Sequence, residues 1–185
     1  MNTKRKLIAL LAIATLISIV NASVFVYYPI NLTISPQNPP VVFLTGSNSN
    51  KRDLWGETIT VSTGDGTSLT INVHPTLQKN YYYDIARIKN NDDTHTYYIK
   101  FRVTNPITDS RVDKAYLIIN GDYNIDLKNG EVQPSSWIEL SNSDEFRVDL
   151  YIVLNSVGSS SITVGVDLII STTNAESPPL TLPGE

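Results

Sequence analysis

The stretch EFRVDLYIVLN, Glu145 to Asn155, carries Phe146, Val148, Leu150, Ile152 and Leu154 at every second position, with Arg147 and Asp149 between them. Side chains of an extended chain point alternately to opposite faces, so a period of two marks a strand with one face on a core. A helix would need its apolar residues three and four apart. The same period recurs on both sides of this stretch. In SSITVGVDLIIS, Ser160 to Ser171, one face collects Ile162, Val164, Val166, Leu168 and Ile170. In TYYIKFRVTN, Thr96 to Asn105, Tyr97, Ile99, Phe101 and Val103 read as inward and Lys100 and Arg102 as outward. Shorter cases are Ile59 with Val61, and Leu69 with Ile71 and Val73. YYYDIARI (81–88) and KAYLIIN (114–120) have strand composition, but both faces are apolar and the period assigns no inward set.

Turn residues separate these runs. Gly64-Asp65-Gly66 and Asn120-Gly121-Asp122 suit tight hairpins, while Asn90-Asn91-Asp92-Asp93 and Asn105-Pro106 mark looser connections. No helical stripe persists for three turns after residue 23. The pattern predicts about nine or ten strands at short, regular spacing: an all-β, jelly-roll-like β-sandwich forming one domain over residues 41–175.

The N-terminus reads differently. Met-Asn-Thr-Lys-Arg-Lys precedes the uncharged run Leu7 to Val20 and then Asn21-Ala22-Ser23, the order of a secretory signal with cleavage between Ala22 and Ser23. Fourteen residues fall short of the roughly 17–25 that a membrane-spanning helix needs. The competing readings are a retained anchor and a type IV pilin that keeps Leu7 to Val20 as a helical filament core. Fourteen bases less the three of the signal leave eleven against eighteen acids, a formal charge of −7. That charge argues against nucleic acid and anionic lipid as partners. The chain has no cysteine. Small exported domains often use disulfides where the core is thin, so stability here must come from the core or from association. The tail over residues 176–185 is polar and proline-rich, and nothing in it is expected to hold the protein to a membrane.

Between signal and sandwich lies SVFVYYPINLTISPQNPPVV, Ser23 to Val42. Val24, Val26, Tyr28, Ile30, Leu32 and Ile34 alternate on one face of a strand expected over Val24 to Ile34. Phe25, Tyr27, Pro29, Asn31 and Thr33 take the other face. Burial of the first set is worth on the order of 9–18 kcal/mol gross, and left in water it would be an aggregation hazard. Pro36, Pro39 and Pro40 make residues 35–40 a stiff, extended spacer and a poor hairpin turn. Two placements are open: the spacer crosses between sheets of one molecule, or it carries the strand to another.

A resemblance bears on that choice. VYYPINLTISPQNPPVVFLTGSN, with TITV, INVHPT, YYYDIARIKNND and YYIKFRVT after it, resembles the subunits of archaeal bundling pili and extracellular threads. These in turn are similar to the bacterial biofilm-matrix fibre proteins TasA and camelysin. The similarity runs from Val24 to about Val103 and is loose beyond. It implies a secreted jelly-roll subunit whose N-terminal strand (residues 23–34) inserts into the next copy, a form of β-augmentation. Such a head-to-tail contact does not close and yields an open filament. Val24, Val26, Tyr28, Ile30, Leu32 and Ile34 would then be the donor residues. The expected partner is the protein itself, with bundling of filaments as a further association. The implied place is the cell surface, in adhesion, cell contact or biofilm.

Other motifs carry less. Asn31-Leu32-Thr33 is a glycosylation sequon whose polar residues share the face opposite the apolar one. Asp122, Asn124 and Asp126 alternate in GDYNIDL, but calcium takes 6–8 oxygen ligands and Leu127 stands where a calcium loop requires glycine. His74 and His95 are the only histidines, too few for a three-ligand zinc site, and no HExxH or GxSxG occurs. No enzyme, cofactor or metal is expected. The tyrosines at 27–28, 81–83 and 97–98 read as large side chains at core edges, with an aromatic platform for stacking sugars as the alternative. A monomeric secreted module that binds carbohydrate or a surface is therefore the second reading of function.

Overall fold

A computed structural model describes residues 2–20, 28–133 and 135–175. The chain divides into two compact units, Met1–Gln37 and Asn38–Glu185. In the first, helix α1 spans Thr3–Val20 and joins the basic residues to the uncharged run. No helix among the described residues is long and apolar enough to cross a membrane. Residues 28–39 form no strand. The described part of the strand expected over Val24 to Ile34, Tyr28 to Ile34, is thus not part of a sheet here. A strand needs a neighbour to satisfy its N–H and C=O groups, and among the described residues no backbone hydrogen bond reaches 28–34. Val24, Val26, the cleavage point at Ala22 and Ser23, and the tail from 176 lie outside the described residues.

The second unit is an antiparallel β-sandwich. Strands β1 (Val41–Thr45), β4 (Gln78–Asn90), β6 (Val112–Ile119), β7 (Tyr123–Asp126), β8 (Val132–Gln133) and β10 (Glu145–Leu154) form a six-stranded sheet in the order β1-β4-β10-β6-β7-β8. Strands β5 (Tyr97–Asn105), β9 (Ile138–Leu140) and β11 (Gly165–Ser171) form a second sheet, ordered β11-β5-β9. A hairpin of β2 (Thr60–Ser62) and β3 (Thr70–Asn72) completes the set. One core cluster draws Ala86, Ile88, Ala115 and Val148 from the large sheet, Ile99, Phe101 and Leu140 from the small one, and Val61 from the hairpin. Each large side chain buried there contributes about 1.5–3 kcal/mol, and with no cysteine in the chain this core carries the stability.

Alternation placed β10 and β5 well. Val148 and Leu150 enter the core while Phe146, Ile152 and Leu154 pack against it, and on β5 Ile99 and Phe101 do the same with Val103 and Tyr97 at the margin. On β11 the strand begins only at Gly165, so Ile162 and Val164 fall outside it. The described strands number eleven, because β8 and β9 are two and three residues long and give no readable period. Asn120-Gly121-Asp122 is the tight turn expected, joining β6 to β7 with Ile119 opposite Tyr123. Asn120 and Gly121 there take positive φ of 55° and 84°, which Asn and Gly adopt most easily. The looser turns at Asn90 and Asn105 instead carry the chain from one sheet to the other.

Candidate functional site

The apolar row of the first unit is bare. Tyr28 is 83% exposed, Ile30 91%, Leu32 80% and Ile34 76%. Asn31, Thr33 and the spacer residues Ser35 to Asn38 are exposed as well. Isolated exposed apolar residues are ordinary, but four at a strict spacing of two are a strand face without a sheet. Pro40 closes the spacer: its carbonyl accepts the N–H of Asn91 at 2.7 Å, fixing where the chain enters β1.

The second unit has an open edge of its own. Strand β11 pairs with β5 on one side, Val166 opposite Val103, Leu168 opposite Phe101 and Ile170 opposite Ile99. Among the described residues, the backbone of 165–170 makes no hydrogen bond on the other side. Burial falls off across this sheet. Ile99 and Phe101 are buried, Val166 and Leu168 only partly so, and Ile170 is exposed. On the outward face Asp167 accepts from Arg102 Nη2 at 2.6 Å. The remaining edges are shorter or covered. On β1 the N–H of Phe43 donates to Gly66 O at 2.8 Å.

On the outer face of the large sheet a polar network surrounds an irregularity. Val148 pairs with Ala86 and Leu150 with Tyr82, so residues 83–85 of β4 stand opposite Asp149 alone. Asp84 takes a positive φ of 46° there. Asp149 is fully buried. Its carboxylate accepts the N–H of Asp84 (2.7 Å), the hydroxyl of Tyr81 (2.8 Å) and Nε of Arg147 (2.9 Å). Asp84 in turn accepts a two-pronged bond from Arg87, at 2.8 and 2.7 Å, and the hydroxyl of Ser47. The Arg87 bonds lead the causes that hold the Asp84 carboxyl well below the usual carboxylate range. Burial, and then the Asp149 carboxylate, push the Tyr81 hydroxyl up. No buried side-chain nitrogen or oxygen among the described residues lacks a partner. This cluster is a joint that ties β4 and β10 to the loop after β1.

Beside it the tyrosines of three strands line up. Tyr151 of β10 stands opposite both Tyr81 of β4 and Tyr116 of β6, with ring centroids 6.5 and 6.4 Å apart. Tyr116, Ile118 and Tyr151 line a depression of about 490 Å³ together with Asn124, Asp126, Glu131 and Gln133.

The remaining candidates separate. Asp126 accepts the N–H groups of Lys128 and Asn129 and the amide of Asn129, so its oxygens hold the turn that follows β7. Asp122 is exposed in the β6–β7 turn and Asn124 on β7. No group of three or more metal-ligating side chains gathers among the described residues. His74 and His95 lie in different loops, each against one carboxylate: Asp53 at 3.0 Å and Asp92 at 2.8 Å. Of the tyrosines expected at core edges, Tyr82 is buried, while Tyr81 and Tyr83 are half exposed on the outer face. Arg147 lies over the Tyr83 ring at 4.3 Å. Sequence reasoning missed the free β11 edge, which only strand order reveals, and the Asp84–Asp149 joint, whose members are 65 residues apart.

No model of a known protein family matches the chain, and no curated protein matches it. The resemblance to pilus and thread subunits therefore stands on the segments quoted above.

Proposed function

We propose that the protein is the subunit of an extracellular filament, assembled when the N-terminal apolar segment of one copy completes the β-sandwich of the next. The observation that carries this reading is the exposed row Tyr28, Ile30, Leu32 and Ile34 on a proline spacer. Burying four such side chains is worth about 6–12 kcal/mol gross. Ordering seven residues of backbone costs about 7–14 kcal/mol. Burial and cost are of one size, so a ladder of backbone hydrogen bonds decides the outcome, and only a sheet edge provides one. The spacer lowers the cost, since its prolines are already extended before docking. The sequence resemblance and the signal-like N-terminus point the same way.

In this reading the protein is exported, cleaved after Ala22, carries a glycan at Asn31 in solvent, and serves adhesion or cell cohesion at the cell surface. Electron microscopy of material sheared from the producing cells, with N-terminal sequencing of its main band, tests it. Filaments whose subunit starts at Ser23 are expected. A main band that starts before Leu7 would instead establish a pilin with a helical core.

A second reading, a binding module for carbohydrate, is favoured by the depression lined by Tyr116 and Tyr151 together with Asn124 and Gln133. Aromatic faces take the apolar side of a sugar ring while amides take its hydroxyls. This reading predicts a monomer at high concentration that neutral oligosaccharides protect in a thermal shift. Unchanged melting with such sugars would remove it.

A further inference from the structure

We propose that the acceptor for this segment is the free edge of β11, with residues 28–34 of a second copy forming the missing fourth strand of the small sheet. The inference rests on the filament reading and adds to it the place of contact.

Strands lie about 4.8 Å apart, so six strands make a sheet about 24 Å across and three make one about 10 Å across. The small sheet leaves part of the large one to the β2–β3 hairpin and to water. The shortfall appears where burial falls from Ile99 and Phe101 to Leu168 and then Ile170.

Edges elsewhere are two residues (β8), three residues (β2, β3 and β9), or already bonded, as at Phe43 of β1. Strand β11 has seven residues, no proline, and, among the described residues, an unpaired flank over 165–170. A long open edge of this kind is a template for another strand. The described segment Tyr28 to Ile34 also has seven residues, and its four apolar side chains repeat at the spacing of the inward row Val166, Leu168 and Ile170.

Backbone groups of alternate residues point to opposite edges of a strand. Pro29 has no N–H, and proline is confined to the outer edge of a sheet. The backbone groups of Tyr28, Ile30, Leu32 and Ile34 must therefore face β11, leaving the edge of Pro29 outward. Asn31 and Thr33 then fall on the outer face with Asp167, so a glycan on Asn31 would stay in water. The occupant is a second copy because the proline spacer over residues 35–40 is stiff, extended and a poor turn for folding the segment back onto its own sheet, and among the described residues the row is exposed and the edge unpaired.

The chain has no cysteine, so engineered pairs report contacts cleanly. The exported full chain carries Thr33→Cys together with Asp167→Cys or Ile169→Cys on β11, with Glu139→Cys on β9, or with Gln133→Cys on β8. Each is oxidised during assembly and run on a non-reducing gel. A reducible ladder of dimers, trimers and longer species through β11 is expected, together with a slowing of amide exchange over 165–171 by about tenfold or more on assembly. Ladders through β9 or β8, or filaments without added protection over 165–171, overturn the β11 assignment while the filament reading stands. A cross-link within one chain, or failure of the unmodified protein to form filaments, overturns both.

Discussion

The main-chain N–H of Asp84 donates to Oδ1 of Asp149 at 2.7 Å, at the point where three residues of β4 face one of β10. That bond replaces a ladder hydrogen bond which the extra residues of β4 remove. Tyr81 and Arg147 satisfy the rest of the carboxylate, so the irregularity is held on several sides. Asp149→Ala would leave the Asp84 N–H unpaired and Arg147 without its anion. The expected loss is about 2–4 kcal/mol, the range for stripping one partner from a buried charged network. Urea unfolding with an unchanged slope measures it, and a loss below about 0.5 kcal/mol would show that the network is ornamental.

Acid should loosen the same joint. The Asp84 carboxyl is held below its ordinary range chiefly by Arg87, and away from the joint, in the loop before β6, Arg111 pairs with Asp109 at 2.6 Å and lowers its carboxyl to about 2. A group depressed in the folded state contributes fully above its unfolded value, near 4, and loses that contribution as pH falls through its folded value. Stability is expected to hold from pH 7 to about 5 and to decline from about 4 toward 2. Asp84→Asn should start lower at pH 7 and decline less steeply. Parallel acid limbs for the two proteins would contradict the assignment.

Gly46 sits where the β1 loop crosses that joint. A Cβ added there would lie 2.1 Å from the carbonyl oxygen of Asp84, which is backbone and cannot swing aside. Gly46→Ala should cost about 1–3 kcal/mol through overpacking. Thermal melting of the variant checks this, with a wild-type midpoint as the contrary result.

The exposed segment should behave in the opposite way. Leu32→Asp changes a residue that is 80% exposed, so the isolated subunit should keep its stability within about 0.5 kcal/mol. Assembly, followed by light scattering, should fail. Normal polymerisation of this variant would remove the apolar row from the account.

How far the sequence reveals this molecule depends on what competes with alternation. Strands β5 and β10 were legible because one face is wholly apolar or aromatic and the other carries the charges. Strand β4 was opaque, since Tyr81, Tyr82 and Tyr83 are alike in composition while burial takes only the middle one. Asp149 reads locally as a water-facing acid, and nothing nearby in the chain announces Tyr81 as its partner. Strands β8 and β9 are too short for a period. The apolar row at Tyr28 to Ile34 was legible as a strand pattern, yet a pattern does not supply a partner edge, and the single chain leaves it unpaired.

The most direct measurement removes that row and returns it. A chain lacking Ser23 to Ile34 is mixed with a peptide of those twelve residues, and its melting temperature and molecular mass are followed. The account predicts a monomer that binds one peptide, melts several degrees higher when saturated, and never forms filaments alone. Filaments from the shortened chain as readily as from the intact one would contradict it.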